Sequence, residues 1–134
     1  MIKKLILIAV SSMFIVSYPV MANWELYTES SYGEVYVDIS TIRKTGEAVK
    51  IWTLTNFKVP QNTIGSSLEH MSTRDLEEYQ CEEETMRTIS AVGTTGQMGS
   101  GEITFSENAK IIEWTPIVPR SVGASIMHLV CGKD

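Results

Sequence analysis

Apolar and polar residues alternate with a period of two through much of the chain beyond residue 22, the pattern of half-buried strands. From Glu34 to Ser40, Val35, Val37 and Ile39 fall on one face while Glu34, Tyr36 and Asp38 fall on the other. Trp24, Leu26 and Tyr27 suggest a short first strand over Asn23 to Tyr27, closed by the turn signal Ser30-Ser31-Tyr32-Gly33. Ala48 to Val59 is rich in β-branched and aromatic residues and carries apolar side chains on both faces, which predicts a central strand covered on two sides. Thr45-Gly46-Glu47 marks a reversal before it and Pro60 to Ser67 a loop after it. Ile103-Thr104-Phe105 and Ile111 to Thr115 read as shorter strands about a polar turn at Ser106 to Lys110. Pro116 and Pro119 bracket an extended piece.

The period changes near the end. Val122, Ile126, Leu129 and Val130 fall on one side at helical spacing, Ser121 is a ready N-cap, and Gly132 stands where helices stop. Leu76 to Met86 pulls two ways. Its composition favours a helix, and Ser72 with Asp75 imitates a capping box. Thr85 to Val92, β-branched and small, continues as strand. The residues alone leave both readings open.

The first 22 residues have another character. Lys3 and Lys4 precede an apolar run from Leu5 to Val16, and Val20-Met21-Ala22 offers small residues at the −3 and −1 positions of a cut after Ala22. This is the build of a secretory signal peptide, and the run is shorter than the roughly 20 residues a membrane-spanning helix needs. The expectation is a signal peptide over 1–22, removed between Ala22 and Asn23, and a single exported domain over 23–134 without stable membrane insertion. No cysteine lies near the cut, so no lipoprotein anchor is expected.

Export changes the meaning of the two cysteines. In an oxidising compartment Cys81 and Cys131 are expected to form one structural disulfide, closing a loop of about 50 residues for which chain entropy gives roughly 4 kcal/mol. The precursor's net charge of −5 becomes more negative once Lys3 and Lys4 are removed. That argues against nucleic acid and anionic membrane surfaces as partners and is compatible with a basic protein.

Candidate chemistry is sparse. Gly93, Gly96, Gly99 and Gly101 crowd together, but strand residues follow them and not a helix start with a lysine, so a hairpin or bulged turn is expected and not a phosphate cradle. His70 and His128 carry no metal-ligand spacing, and are read as an exposed strand residue and a residue of the helix's polar side. No nucleophile motif is present. No catalytic, cofactor or metal residue is therefore assigned. Acids crowd between Glu69 and Glu84. Most of that run reads as a solvated face, with Glu77, Glu78, Glu82, Glu83 and Glu84 as the candidate patch for a protein partner. Trp24, Trp52 and Trp114 are expected to build the core.

Several segments together resemble the surface-adhesin protein E family. They are Trp24, Tyr36 to Ile42 and Val49 to Trp52; then Glu78-Tyr79-Gln80-Cys81, Arg87 to Ser90 and Met98 to Gly101; and finally Trp114 to Ser121 followed by Cys131. The resemblance spans nearly all of the chain beyond residue 22. It implies an α+β fold, an antiparallel sheet of about six strands with one C-terminal helix tethered to it by the Cys81–Cys131 disulfide. It favours strand over helix for Leu76 to Met86. It also implies a non-enzymatic, exported bacterial binding protein that forms a homodimer and contacts host extracellular-matrix or plasma proteins. The alternatives are a periplasmic inhibitor or immunity protein, or a housekeeping protein of the envelope.

Overall fold

A computed structural model describes residues 22–109 and 113–132. The signal peptide read in the leader lies outside the described residues, apart from Ala22, and so does the beginning of the strand expected at Ile111.

Among the described residues seven strands and one helix follow in chain order: β1 (Glu25–Glu29), β2 (Gly33–Thr45), β3 (Ala48–Asn62), β4 (Glu69–Gln80), β5 (Thr85–Thr94), β6 (Ile103–Asn108), β7 (Thr115–Pro116) and α1 (Val122–Cys131). A single 3-10 turn, Gln97–Gly99, sits between β5 and β6. The strands form one antiparallel sheet in the order β1-β2-β3-β4-β5-β6, and β7 pairs with the start of β5. This is the α+β architecture the resemblance implied.

The helix lies on one face of the sheet. Its Ile126 and Met127 pack into a cluster with Val35, Val37, Ile51 and Tyr79. Removing an isoleucine- or leucine-sized side chain from water contributes about 1.5–3 kcal/mol, so a ten-residue helix with several such contacts is held by packing. Local chemistry fixes its ends. Ser121 Oγ accepts from the Ala124 N–H at 3.2 Å, and Gly132 takes the left-handed conformation (φ 65°) that closes the last turn. The phenol of Tyr27 donates to the Ser125 carbonyl at 2.9 Å, joining the first strand to the helix.

Leu76 to Met86 is a hairpin, β4 to Gln80 and β5 from Thr85, because pairing with β3 on one side and β7 on the other outweighs local helix propensity. Three strands run further than the sequence suggested: β2 continues to Thr45, β3 through Pro60 to Asn62, and β6 takes up most of the expected turn as far as Asn108.

The alternation of β2 also breaks where the sequence shows no break. The register with β3 shifts between Asp38 and Arg43. Asp38 is 4% exposed and its Oδ1 accepts from both the backbone N–H and the hydroxyl of Ser40, while Thr41 Oγ1 donates to the Asp38 carbonyl at 2.6 Å and accepts from Trp52 N–H at 3.0 Å. This bulge turns Ile39 away from the Val35–Val37 face and leaves it 46% exposed, against the simple two-residue expectation.

Candidate functional site

The five acids singled out in the sequence occupy three different environments. Glu78 is 5% exposed on the face away from the helix. Its Oε1 accepts from Arg87 at 2.8 and 3.1 Å and its Oε2 lies 3.6 Å from Lys50, one strand away on the other side. Arg87 in turn stacks 4.2 Å above the Trp114 ring. Glu78 is thus consumed by an internal ion-pair network.

Glu77, one residue earlier, projects to the helix-covered face. The Tyr79 phenol donates to it, and burial pushes its carboxyl up to about 7. Asp75, two residues before on the same face, is likewise raised by burial, to about 6. A buried carboxyl with no cation beside it favours its neutral form.

Glu82, Glu83 and Glu84 are the exposed members. They form the turn between β4 and β5 directly after Cys81, whose disulfide to Cys131 spans a Cα–Cα distance of 5.7 Å. Glu84 takes a positive φ of 52°, and its carbonyl accepts from Ile117 N–H at 3.0 Å, which holds the turn against the chain leading to α1. Glu47, on the neighbouring β2–β3 turn, shares with Glu82 a recess of about 300 Å³ that also meets the disulfide and Val130 and that Lys44 lines as well, so that the acids outnumber the basic group there. Carboxylates from two turns are therefore gathered at one end of the sheet, on backbone that a covalent crosslink fixes. Such a surface attracts cationic groups and excludes anionic ones.

Among the described residues no group of three or more His, Cys, Asp and Glu side chains converges to hold a metal ion. His70 is not the exposed strand residue expected. Its ring packs edge-on between Phe57 and Phe105 (centroids 5.6 and 5.3 Å), Thr63 Oγ1 lies 2.8 Å from its Nδ1, and burial lowers the imidazole below its ordinary range. His128 is exposed on the helix.

The glycine-rich segment folds back over the sheet, and two of its amides bond to side chains there. Met98 N–H donates to Asn56 Oδ1 at 2.7 Å and Gly99 N–H to Ser72 Oγ at 3.0 Å. Gly99 has a positive φ of 73°, and a Cβ there would meet the Arg74 side chain at 3.1 Å.

The tryptophans do not build the core. All three are half-buried. Trp24 and Trp52 line a recess of about 300 Å³ with Ala22, Asp38, Thr41, Arg74 and Val92 on the side of the sheet opposite the helix. Fully buried positions go to smaller side chains and Tyr79.

The sequence profile of surface-adhesin protein E matches residues 24–132, from the first tryptophan to the helix-closing glycine. The chain belongs to the surface-adhesin protein E family. Solved structures of Haemophilus influenzae protein E share the fold. One matches with a TM-score of 0.59 at 12% identity, covering 84% of this chain and 86% of that one. Protein E from non-typeable Haemophilus influenzae gives 0.58 at 12% identity, over 84% and 78%, and a second crystal form of protein E gives 0.57 at 12%, over 73% and 80%. No curated protein matches the chain. The family is one of surface adhesins and not a class of enzymes, and among the described residues no helix is long and apolar enough to cross a membrane.

Proposed function

We propose that the mature domain is an exported, non-enzymatic binding protein that uses its acidic end to hold a basic segment of a protein partner, with host extracellular-matrix and plasma proteins as the partner class. The observation that carries this reading is the exposed Glu82-Glu83-Glu84 turn, set beside Glu47 on backbone pinned by the disulfide. A rigid charged surface loses little conformational entropy on binding and mainly raises association rate and selectivity. Family membership supports adhesion as the class of activity. A homodimer belongs to the same reading, since two acidic ends on one particle would add avidity.

The test replaces Glu82, Glu83 and Glu84 together by Gln and measures binding to a panel of immobilised matrix and plasma proteins over a salt series. The expected result is about a tenfold loss of affinity at low salt, carried mostly by the association rate, and a flatter salt dependence. Unchanged affinity and slope would remove the acidic end from the binding surface. Protease shaving of intact cells separately tests contact with a host: a domain protected inside the envelope cannot make one.

A further inference from the structure

Asp38 is a nearly buried carboxylate whose hydrogen-bond donors among the described residues are neutral groups. Ser40 N–H and Ser40 Oγ both serve Oδ1, and Oδ2 accepts a single bond, from the backbone N–H of Asn23 at 3.2 Å. Among the described residues no lysine, arginine or histidine lies within ion-pair distance of it. A buried carboxylate without a cation is costly unless one is supplied. Asn23 is the residue that becomes the new N-terminus if the leader is cut after Ala22.

We propose that Asp38 is the receptor for the mature N-terminus: cleavage between Ala22 and Asn23 converts a neutral amide donor into an α-ammonium ion-paired with the Asp38 carboxylate. This rests on the signal-peptide reading of residues 1–22. In the hydrolysis, water adds across the Ala22–Asn23 peptide bond. The C–N bond breaks, the hydroxyl goes to the Ala22 carboxyl, and Asn23 keeps an amine that takes up a proton at neutral pH. The donor atom is already in place on Oδ2, and Asn23 is exposed, which leaves room for the two additional N–H groups in solvent.

The consequence reaches beyond the pair. Asp38 organises the β2 bulge through Ser40, β1 begins two residues after Asn23, and Tyr27 of β1 holds the helix through the Ser125 carbonyl. Removal of the leader thus tightens the first strand onto the sheet, so processing and completion of the fold are one event. Cleavage also takes Ala22 out of the wall of the Trp24–Trp52 recess. Two other charged groups face this region: Glu25 on β1, beside Asn23, and Arg74 on β4, across the recess. Glu25 adds to the attraction for an ammonium and Arg74 subtracts from it.

Mature protein beginning at Asn23 is compared with the same protein acetylated at its α-amine, which keeps the N–H and removes the charge, each with Asp38 and with Asp38→Asn. Acetylation is expected to lower the Tm at pH 6 by on the order of 4–8 °C with Asp38 present, and to change it little in the Asp38→Asn background. An ammonium held by a carboxylate titrates above its unfolded value of about 8. Its stabilisation is therefore complete below that pH and disappears as pH rises through the higher folded value. The rate of amine acylation against pH reads that folded titration directly, without depending on how stable each variant is. Equal Tm changes in both backgrounds, or an amine titrating at its ordinary value, overturn the pairing. N-terminal sequencing of the protein exported by its native host separates the two layers: a start other than Asn23 overturns the processing reading and the natural occurrence of the pair, whatever the recombinant protein does.

Discussion

The two ends of the sheet are held by different physics. At one end the β2–β3 and β4–β5 turns carry Glu47, Glu82, Glu83 and Glu84 and are anchored by the bond from Cys81 to the last turn of α1. At the other end no crosslink exists. There Tyr32, Phe57, His70 and Phe105 form a row of rings across the strands, with neighbouring centroids 6.4, 5.6 and 5.3 Å apart. Val59, Ile64, Leu68 and Ile103 stand exposed around them. The charged end disfavours burial of its own side chains, so its order comes from covalent restraint. The aromatic end needs no covalent help because packing supplies its order.

The largest expected effect comes from removing that restraint. Replacing Cys81 and Cys131 together by Ser is expected to cost roughly 4 kcal/mol in urea unfolding, by the loop-closure estimate for about 50 residues. In amide exchange, α1 and the β4–β5 turn should lose protection first, with the aromatic end last. Earlier opening of the aromatic end would reverse the comparison. A smaller effect probes the other end. A Cβ on Gly93 would lie 2.2 Å from the Phe105 ring, so Gly93→Ala is expected to destabilise by about 2 kcal/mol through overpacking. Combining it with Phe105→Ala should cost less than the sum of the two single changes, because the closest clash goes with the ring and only the contact with Thr104 Oγ1 at 2.7 Å stays. Strict additivity would mean that the ring is not what confines this backbone.

A pH-dependent effect comes from Glu77, whose strand joins the two ends. Burial raises its folded carboxyl to about 7, so the folded state holds a proton that the unfolded chain releases near 4.5. The contribution is most favourable below that lower value and is lost as pH rises through about 7. Glu77→Gln should therefore flatten the fall in stability between pH 4 and pH 7 measured by chemical denaturation. An unchanged slope would assign it to other groups, Asp75 first among them.

What the sequence revealed depended on whether the cause was local. The helix was legible in full, because Ser121, its apolar stripe and Gly132 lie within a few residues of one another. The alternation of β2 was legible only as far as Asp38. Beyond it Glu34 to Ile39 still alternates on paper, but the bulge comes from a buried carboxylate organising Ser40 and from Thr41 meeting Trp52 on the next strand. The acidic run was read as one surface because charge was counted without side-chain direction. Once Leu76 to Gln80 is strand, Glu77 and Glu78 must point to opposite faces. Lys50 and Arg87, the partners that bury Glu78, come from the two flanking strands. The tryptophans misled for a related reason: bulk suggested a core, whereas the space under a ten-residue helix suits valine, isoleucine and a single tyrosine.

Cys131 follows every strand in chain order, although its partner Cys81 sits in mid-sheet sequence. In a chain threaded N-terminus first through a membrane, the second sulfur arrives only after all seven strands have crossed. In such a chain oxidation would act on a sheet whose hairpins have had the whole transit to pair, and would record that the terminal helix has found its place.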